Sequence, residues 1–181
     1  MREKTLTREY LFRGRIINLR IDRVELPDGR EASREVVEHP GAVGIVALTA
    51  KGEVVLIKQY RQATGEEMWE IPAGKLEARE DPRECAVREL AEETGYTANH
   101  WEKMTSFYTS PGFANEILHL YLARGLEAGE QSLDPDEAIC TYLLPLPRAL
   151  EMIKRGEIRD AKTIVGLLLA ARSEDGGMGE G

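Results

Sequence analysis

Hydrophobic and polar positions fall into two regimes along the chain. Up to His39 the apolar residues come in short groups broken by charge, as in "EYLFRGRIINLRIDRVEL" and "EASREVVEHP". Their β-branched and aromatic content, with the turn signal "PDGR" at 27–30, predicts short strands joined by tight turns. This segment has too few apolar residues for a core of its own, so it is expected to pack on the rest of the chain or on a second subunit.

From Gly41 the pattern changes. "AVGIVALT" is continuously apolar and predicts a strand buried on both faces, with "EVVLIKQYR" as its neighbour after a turn at Lys51-Gly52. "MWEIPAG" predicts a short strand ending at Pro72, and "WEKMTSFYTS", "EILHLYLARGL" and "ICTYLLPL" predict three more. The strongest helix signal covers 82–94, where Asp81 suits the N-cap, Pro82 the first helical position and Gly95 the residue just past the end. "PRALEMIKRGEI" and "DAKTIVGLLLAARS" predict two further helices. Strands around one central helix, with two helices near the end, predict an α/β fold with a mixed sheet and helices on both faces. The expected division is a β unit over 1–40, a main domain over 41–173 and a disordered tail, "EDGGMGEG", over 174–181.

Composition narrows the chemistry. The longest apolar runs are too short to span a bilayer and "MREKTLTREY" lacks the apolar stretch of a signal peptide, so a cytoplasmic location is expected. Two cysteines without CxxC spacing argue against a disulfide framework or a structural zinc site, and Cys85 is expected to be a packing residue. His39, His100 and His119 are scattered without metal-ligand spacing. A net charge of −8 disfavours nucleic-acid binding, which needs clustered Lys and Arg, but leaves room for a phosphorylated small molecule bridged to acidic residues by cations.

The helix over 82–94 sharpens that possibility. Glu89, Glu92 and Glu93 have the i, i+3, i+4 spacing that places side chains on one face. Ala86, Val87, Leu90 and Thr94 form the adjoining, largely apolar face, suited to a sheet. No Lys or Arg follows the three glutamates at four residues, so like charges on one stripe destabilise an isolated helix. Arg88 precedes them and can reach Glu80. Hard cations such as Mg²⁺ or Mn²⁺ prefer such oxygen ligands, and carboxylates on a fixed helix beside a glycine loop suit them.

The stretch "GKLEAREDPRECAVRELAEETGY" carries Gly-x5-Glu-x7-Arg-Glu-aliphatic-x-Glu-Glu-x-Gly-hydrophobic at every fixed place. It resembles the Nudix box, and the resemblance implies an α/β/α sandwich with a mixed sheet plus a small N-terminal antiparallel β unit. It further implies that Glu89 and Glu93 ligate divalent metal with Glu92 close by, that Ala73 adds a carbonyl, and that Glu80 and Arg88 tie loop to helix. Mg²⁺ is the expected ion, with Mn²⁺ or Zn²⁺ as alternatives.

Pro111, sixteen positions after Gly95 in "SPGF", resembles the ADP-ribose pyrophosphatase branch of that family, as do "REVVEHPGAV", "IKQYR", "WEIPAGK" and "GEIRDAKTIVGLLLA". By that resemblance Arg34 and Arg61 contact the adenosine diphosphate portion, and Glu77 and Pro111 join the substrate site. Arginine suits phosphate through paired donors. A group must also orient or deprotonate water. The matching loop "LDPDEAI" offers Glu137, with Asp134 and Asp136 as alternatives. The implied reaction cleaves ADP-ribose to AMP and ribose 5-phosphate in a homodimer whose N-terminal strands exchange. Another nucleoside diphosphate sugar such as GDP-mannose, or a sensor that binds without cleaving, are the alternatives.

Overall fold

A continuously apolar strand must be covered on both faces, and the computed structural model, which describes residues 2–133, 135 and 137–176, shows what covers this one. Its strands are β1 (Lys4–Arg13), β2 (Asn18–Glu25), β3 (Glu31–Glu38), β4 (Ala42–Ala47), β5 (Glu53–Arg61), β6 (Glu66–Glu70), β7 (Ala73–Lys75), β8 (Tyr96–Tyr108), β9 (Ile117–Ala128) and β10 (Ile139–Pro145). Its helices are α1 (Pro82–Thr94), α2 (Leu146–Lys154) and α3 (Ala161–Gly176). Side chains alternate across a strand. From β4, Val43, Ile45 and Ala47 join Cys85, Ala86 and Leu90 of α1 in one buried cluster. Between them Gly44 and Val46 turn to the opposite face, where a Cβ on Gly166 of α3 would come within 2.8 Å of the Val46 side chain. That close approach explains a glycine in the middle of a helix.

The chain divides into two compact units, one of Met1–Gly41 with Phe107–Ile117, the other of Ala42–Ser106 with Leu118–Gly181. In the larger unit β7-β4-β9-β8 form one sheet, and it is mixed because β4 pairs parallel with β9 and antiparallel with β7. The second sheet, β10-β5-β6, is antiparallel. Two expectations change here. The strands β4 and β5 are not ladder neighbours: they belong to different sheets, joined at the turn by a single bridge between Leu48 and Val54. "MWEIPAG" is not one strand either. Pro72 has no N–H to continue a ladder, so pairing with β5 stops at Glu70 and resumes against β4 from Ala73. The crossover backbone is held instead by Ile45 N–H donating to the Pro72 carbonyl and by Ile71 N–H donating to Thr163 Oγ1, both at 2.8 Å.

In the smaller unit β1, β2 and β3 form an antiparallel meander closed at Leu26–Arg30. Every residue of β1 is exposed, and Leu11, Phe12 and Ile16 leave large apolar side chains uncovered. The loop after β8 docks on β3 through Val37 N–H to the Phe113 carbonyl and Asn115 N–H to the Val37 carbonyl. The helix α3 runs to Gly176, and the remainder of the expected tail, 177–181, lies outside the described residues. No described helix is long and apolar enough to cross a membrane.

Candidate active site

The site is built on α1, whose ends are fixed by local chemistry. Asp81 has extended backbone angles, and its side chain accepts from the Arg83 and Glu84 amides. Gly95, at φ 74°, closes the helix by donating its N–H to the Ala91 carbonyl. Burial then sorts the side chains. Cys85, Ala86, Leu90, Glu93 and Thr94 are buried, whereas Val87, expected on the apolar face, is exposed. Cys85 takes that place, and burial pushes its thiol up to about 12, which suits packing and not nucleophilic attack.

The glutamates do not share one environment. Glu93 is only 3 % exposed, with one carboxylate oxygen accepting from the Ala73 amide at 2.8 Å. Desolvation pushes its carboxyl up to about 8, and the charges of Glu89 and Glu137 add to the shift. Burial also raises Glu89, against the pull of Arg88. Glu92 is the most exposed of the three. Arg88 links them to the preceding loop: it grips Glu80 through Nε at 2.9 Å and Nη2 at 3.0 Å, while Nη1 reaches Glu89 at 2.8 Å and Glu92 at 3.0 Å. Glu80 is held down to about 2 by that guanidinium, and its second oxygen accepts from the Glu77 amide. Arg88 therefore offsets part of the stripe's repulsion as well as fixing the loop.

These residues fit a divalent cation in their chemistry. One buried and one half-buried carboxylate, mutually repelling, offer hard oxygen donors, and Gly74 keeps open the space that Glu89 fills. A Cβ on Gly74 would fall 1.9 Å from the Glu89 carboxylate. Among the described residues no three acidic or sulfur/imidazole groups are already gathered at metal spacing, and Glu89 and Glu92 are both bonded to Arg88.

The other expected site residues are distributed unevenly. Arg61 ends β5 and makes a paired bond to Glu70 through Nε at 2.8 Å and Nη2 at 2.7 Å. It is close enough to Glu93 to respond to its charge. Glu137 is exposed and acts electrostatically on both Glu89 and Glu93. Asp134 and Asp136 lie outside the described residues. Glu77 is exposed in the loop before α1. Arg34 and Pro111 belong to the smaller unit, where Arg34 pairs with Glu3 at 2.5 Å and Pro111 occupies an exposed turn.

Sequence reasoning missed Glu70, Asp160, Lys162 and Thr163. Glu70 is 1 % exposed and bonds both Arg61 and Lys162. The available signal was a lone acid entering an otherwise apolar segment, and a lysine in the first turn of an apolar helix.

Comparison with known proteins agrees with this geometry. The NUDIX domain model matches residues 38–165, and the nucleoside diphosphate sugar hydrolase N-terminal domain model matches residues 3–37. The chain is 48% identical to the methanol dehydrogenase activator of Bacillus methanolicus, over 91% of this chain and 90% of that protein. It is 47% identical to the ADP-ribose pyrophosphatase of Bacillus subtilis (strain 168), over 90% and 89%. A crystal structure of an ADP compounds hydrolase superposes with a TM-score of 0.87 at 21% identity, covering 98% of this chain and 97% of that one. The NUDIX domain match over residues 38–165, which spans the complete glutamate box on α1, places the chain in the NUDIX domain family.

Proposed function

We propose that the protein hydrolyses the pyrophosphate bond of ADP-ribose, giving AMP and ribose 5-phosphate. The observation that carries this reading is the pair of Glu93, buried, and Glu89, half-buried, on α1: both carboxyls are pushed toward protonation, and Gly74 leaves open the space that Glu89 occupies. The relation to an ADP-ribose pyrophosphatase supports the choice of substrate.

Glu89, Glu93 and the Ala73 carbonyl would hold the divalent ion, with Mg²⁺ preferred and Mn²⁺ or Zn²⁺ as substitutes. That ion supplies charge neutralisation at the phosphate oxygens and lowers the pKa of bound water. Glu92, on the same stripe but half in solvent, orients water at the edge of the site. Glu137 takes the proton as water oxygen bonds to one phosphorus and the bridging P–O bond breaks, the bridging oxygen leaving with the other phosphate. Arg61 presents a fixed guanidinium to a phosphate, while Arg34, Glu77 and Pro111 contribute to binding the nucleotide. The uncovered apolar side chains of β1 support a homodimer in which a second copy buries them.

A panel of ADP-ribose, GDP-mannose and dinucleotides, each assayed with Mg²⁺, Mn²⁺ and Zn²⁺, tests the reading. Fastest release of AMP from ADP-ribose supports it. Faster cleavage of GDP-mannose shifts the substrate, and tight binding of ADP-ribose without products with any metal makes the protein a sensor. Light scattering on the active protein tests the dimer, and a fully active monomer removes it.

A further inference from the structure

A buried carboxylate needs a partner, and Glu70 has two. Arg61 holds it through Nε and Nη2, and Lys162 Nζ reaches it at 2.5 Å. Lys162 Nζ also lies 3.0 Å from Asp160, so two cations and two anions form one cluster. The two cations differ in exposure. The Arg61 side chain is 42 % exposed, whereas Lys162 is 12 % exposed. The bonds to Glu70 use Arg61 Nε and Nη2, so one edge of its guanidinium is fixed while the side chain as a whole stays partly open to solvent.

We propose that Lys162 is a positioning residue for substrate binding: by sharing the buried Glu70 carboxylate with Arg61, it holds Arg61 in place while leaving its guanidinium only partly neutralised toward a phosphate of the nucleoside diphosphate. The proposal rests on the functional reading above. Without Lys162, Glu70 would neutralise Arg61 entirely, and an arginine so paired attracts a second anion weakly. A purely structural account of Lys162 is weaker, because α3 is anchored without it. Thr163 Oγ1 accepts from the Ile71 amide at 2.8 Å and donates to Asp160, and Asp160 in turn accepts from the Thr163 amide at 3.0 Å, capping the helix. A lysine placed beside that anchor costs desolvation that an apolar residue of the same length would avoid. Its charge acts toward the site: both Lys162 and Arg61 interact electrostatically with Glu93.

The test is calorimetric binding of inorganic pyrophosphate in metal-free buffer, together with kinetics on ADP-ribose, for wild type, Lys162→Met, Lys162→Arg, Arg61→Met and Arg61→Met/Lys162→Met. Lys162→Met is expected to weaken pyrophosphate binding about tenfold and raise KM similarly, with kcat falling less than about threefold. Lys162→Arg restores binding, and in the Arg61→Met background the loss of Lys162 adds nothing. Thermal unfolding confirms that each variant is folded, and Lys162→Gln replaces Lys162→Met if the latter is not. Unchanged pyrophosphate affinity in a folded Lys162→Met variant overturns the proposal. So does an equal loss from Lys162→Met when Arg61 is already absent. If the wild type binds pyrophosphate but leaves ADP-ribose intact, the substrate reading fails, and the pyrophosphate series alone decides the role of Lys162.

Discussion

Two charged clusters lie in the same unit of this protein, and they handle burial in opposite ways. Around Glu70 every buried charge is balanced: Arg61 and Lys162 face Glu70 and Asp160 at 2.5 to 3.0 Å. The net effect lowers the Glu70 carboxyl despite its burial. Around Glu93 burial wins, and the carboxyl rises to about 8. The difference lies in the cations. Arg88, the one guanidinium bonded into the glutamate stripe among the described residues, reaches Glu80, Glu89 and Glu92, whereas the hydrogen bond to Glu93 comes from a backbone amide. A neutral donor offsets only part of the desolvation of a charge. The first cluster is complete as the chain folds, whereas the second would gain a matching charge from a cation bound as proposed. What separates the two clusters is burial with or without a matched counter-charge, and unmatched burial is the condition that suits a cation-binding site.

The largest test of that contrast is Glu93→Gln. Removing the charge at the deepest carboxylate should cut kcat with Mg²⁺ by about 10³-fold or more while the fold persists, since glutamine keeps the acceptor for the Ala73 amide. Near-normal turnover in a steady-state assay would sink the metal assignment. Gly74→Ala comes next. Its Cβ would meet the Glu89 carboxylate at 1.9 Å and push that side chain from its place, so an activity loss of about 10²-fold is expected. Activity within a few-fold of wild type would show that Glu89 can function elsewhere.

How much of this was legible in advance follows the range of the interactions. The ends of α1 were readable because Asp81, Pro82 and Gly95 act within a few residues of themselves. The Glu80–Arg88 bridge was readable because its spacing is short and fixed. What escaped was non-local or directional. Glu70 and Lys162 are 92 residues apart in sequence, and nothing near either one names the other. The assignment of β4 and β5 to different sheets depends on β9 and β10 arriving from later in the chain, and a run of apolar residues says only that both faces are covered. The box itself does not reveal that Glu93 is buried while Glu92 is not, because a helical stripe has a direction only once the sheet beneath it is known.

That last distinction gives a smaller effect. Glu92 shares the stripe with Glu93, but its side chain is 45% exposed and bonds Arg88. Glu92→Gln should therefore lower kcat only about tenfold, because water already screens that position. A loss equal to that of Glu93→Gln would mean that burial does not rank these carboxylates, and the contrast between the two clusters would have to rest on geometry alone.

The last expected effect is on stability and leaves turnover aside, and its sign is informative. The carboxyl of Glu93 rises in the folded protein from an ordinary 4.5 to about 8. Between those values the folded state keeps a proton that the unfolded chain has released, so protonation favours folding. The contribution is full below about 4.5 and is lost as pH rises through about 8. Metal-free protein should therefore lose Tm progressively as pH rises across that window. Glu93→Gln should flatten that part of the profile. Adding Mg²⁺ should reverse the trend, since the ion binds the deprotonated carboxylate and stabilises the fold increasingly at higher pH. The Glu70 cluster supplies the internal control. Its carboxyl is lowered, so its stabilisation is present above the ordinary carboxylate range and disappears only toward acid. A Tm profile that is flat between pH 5 and 8 for the metal-free wild type, and unchanged by Glu93→Gln, would show that the carboxylate beside Ala73 is as well balanced as Glu70.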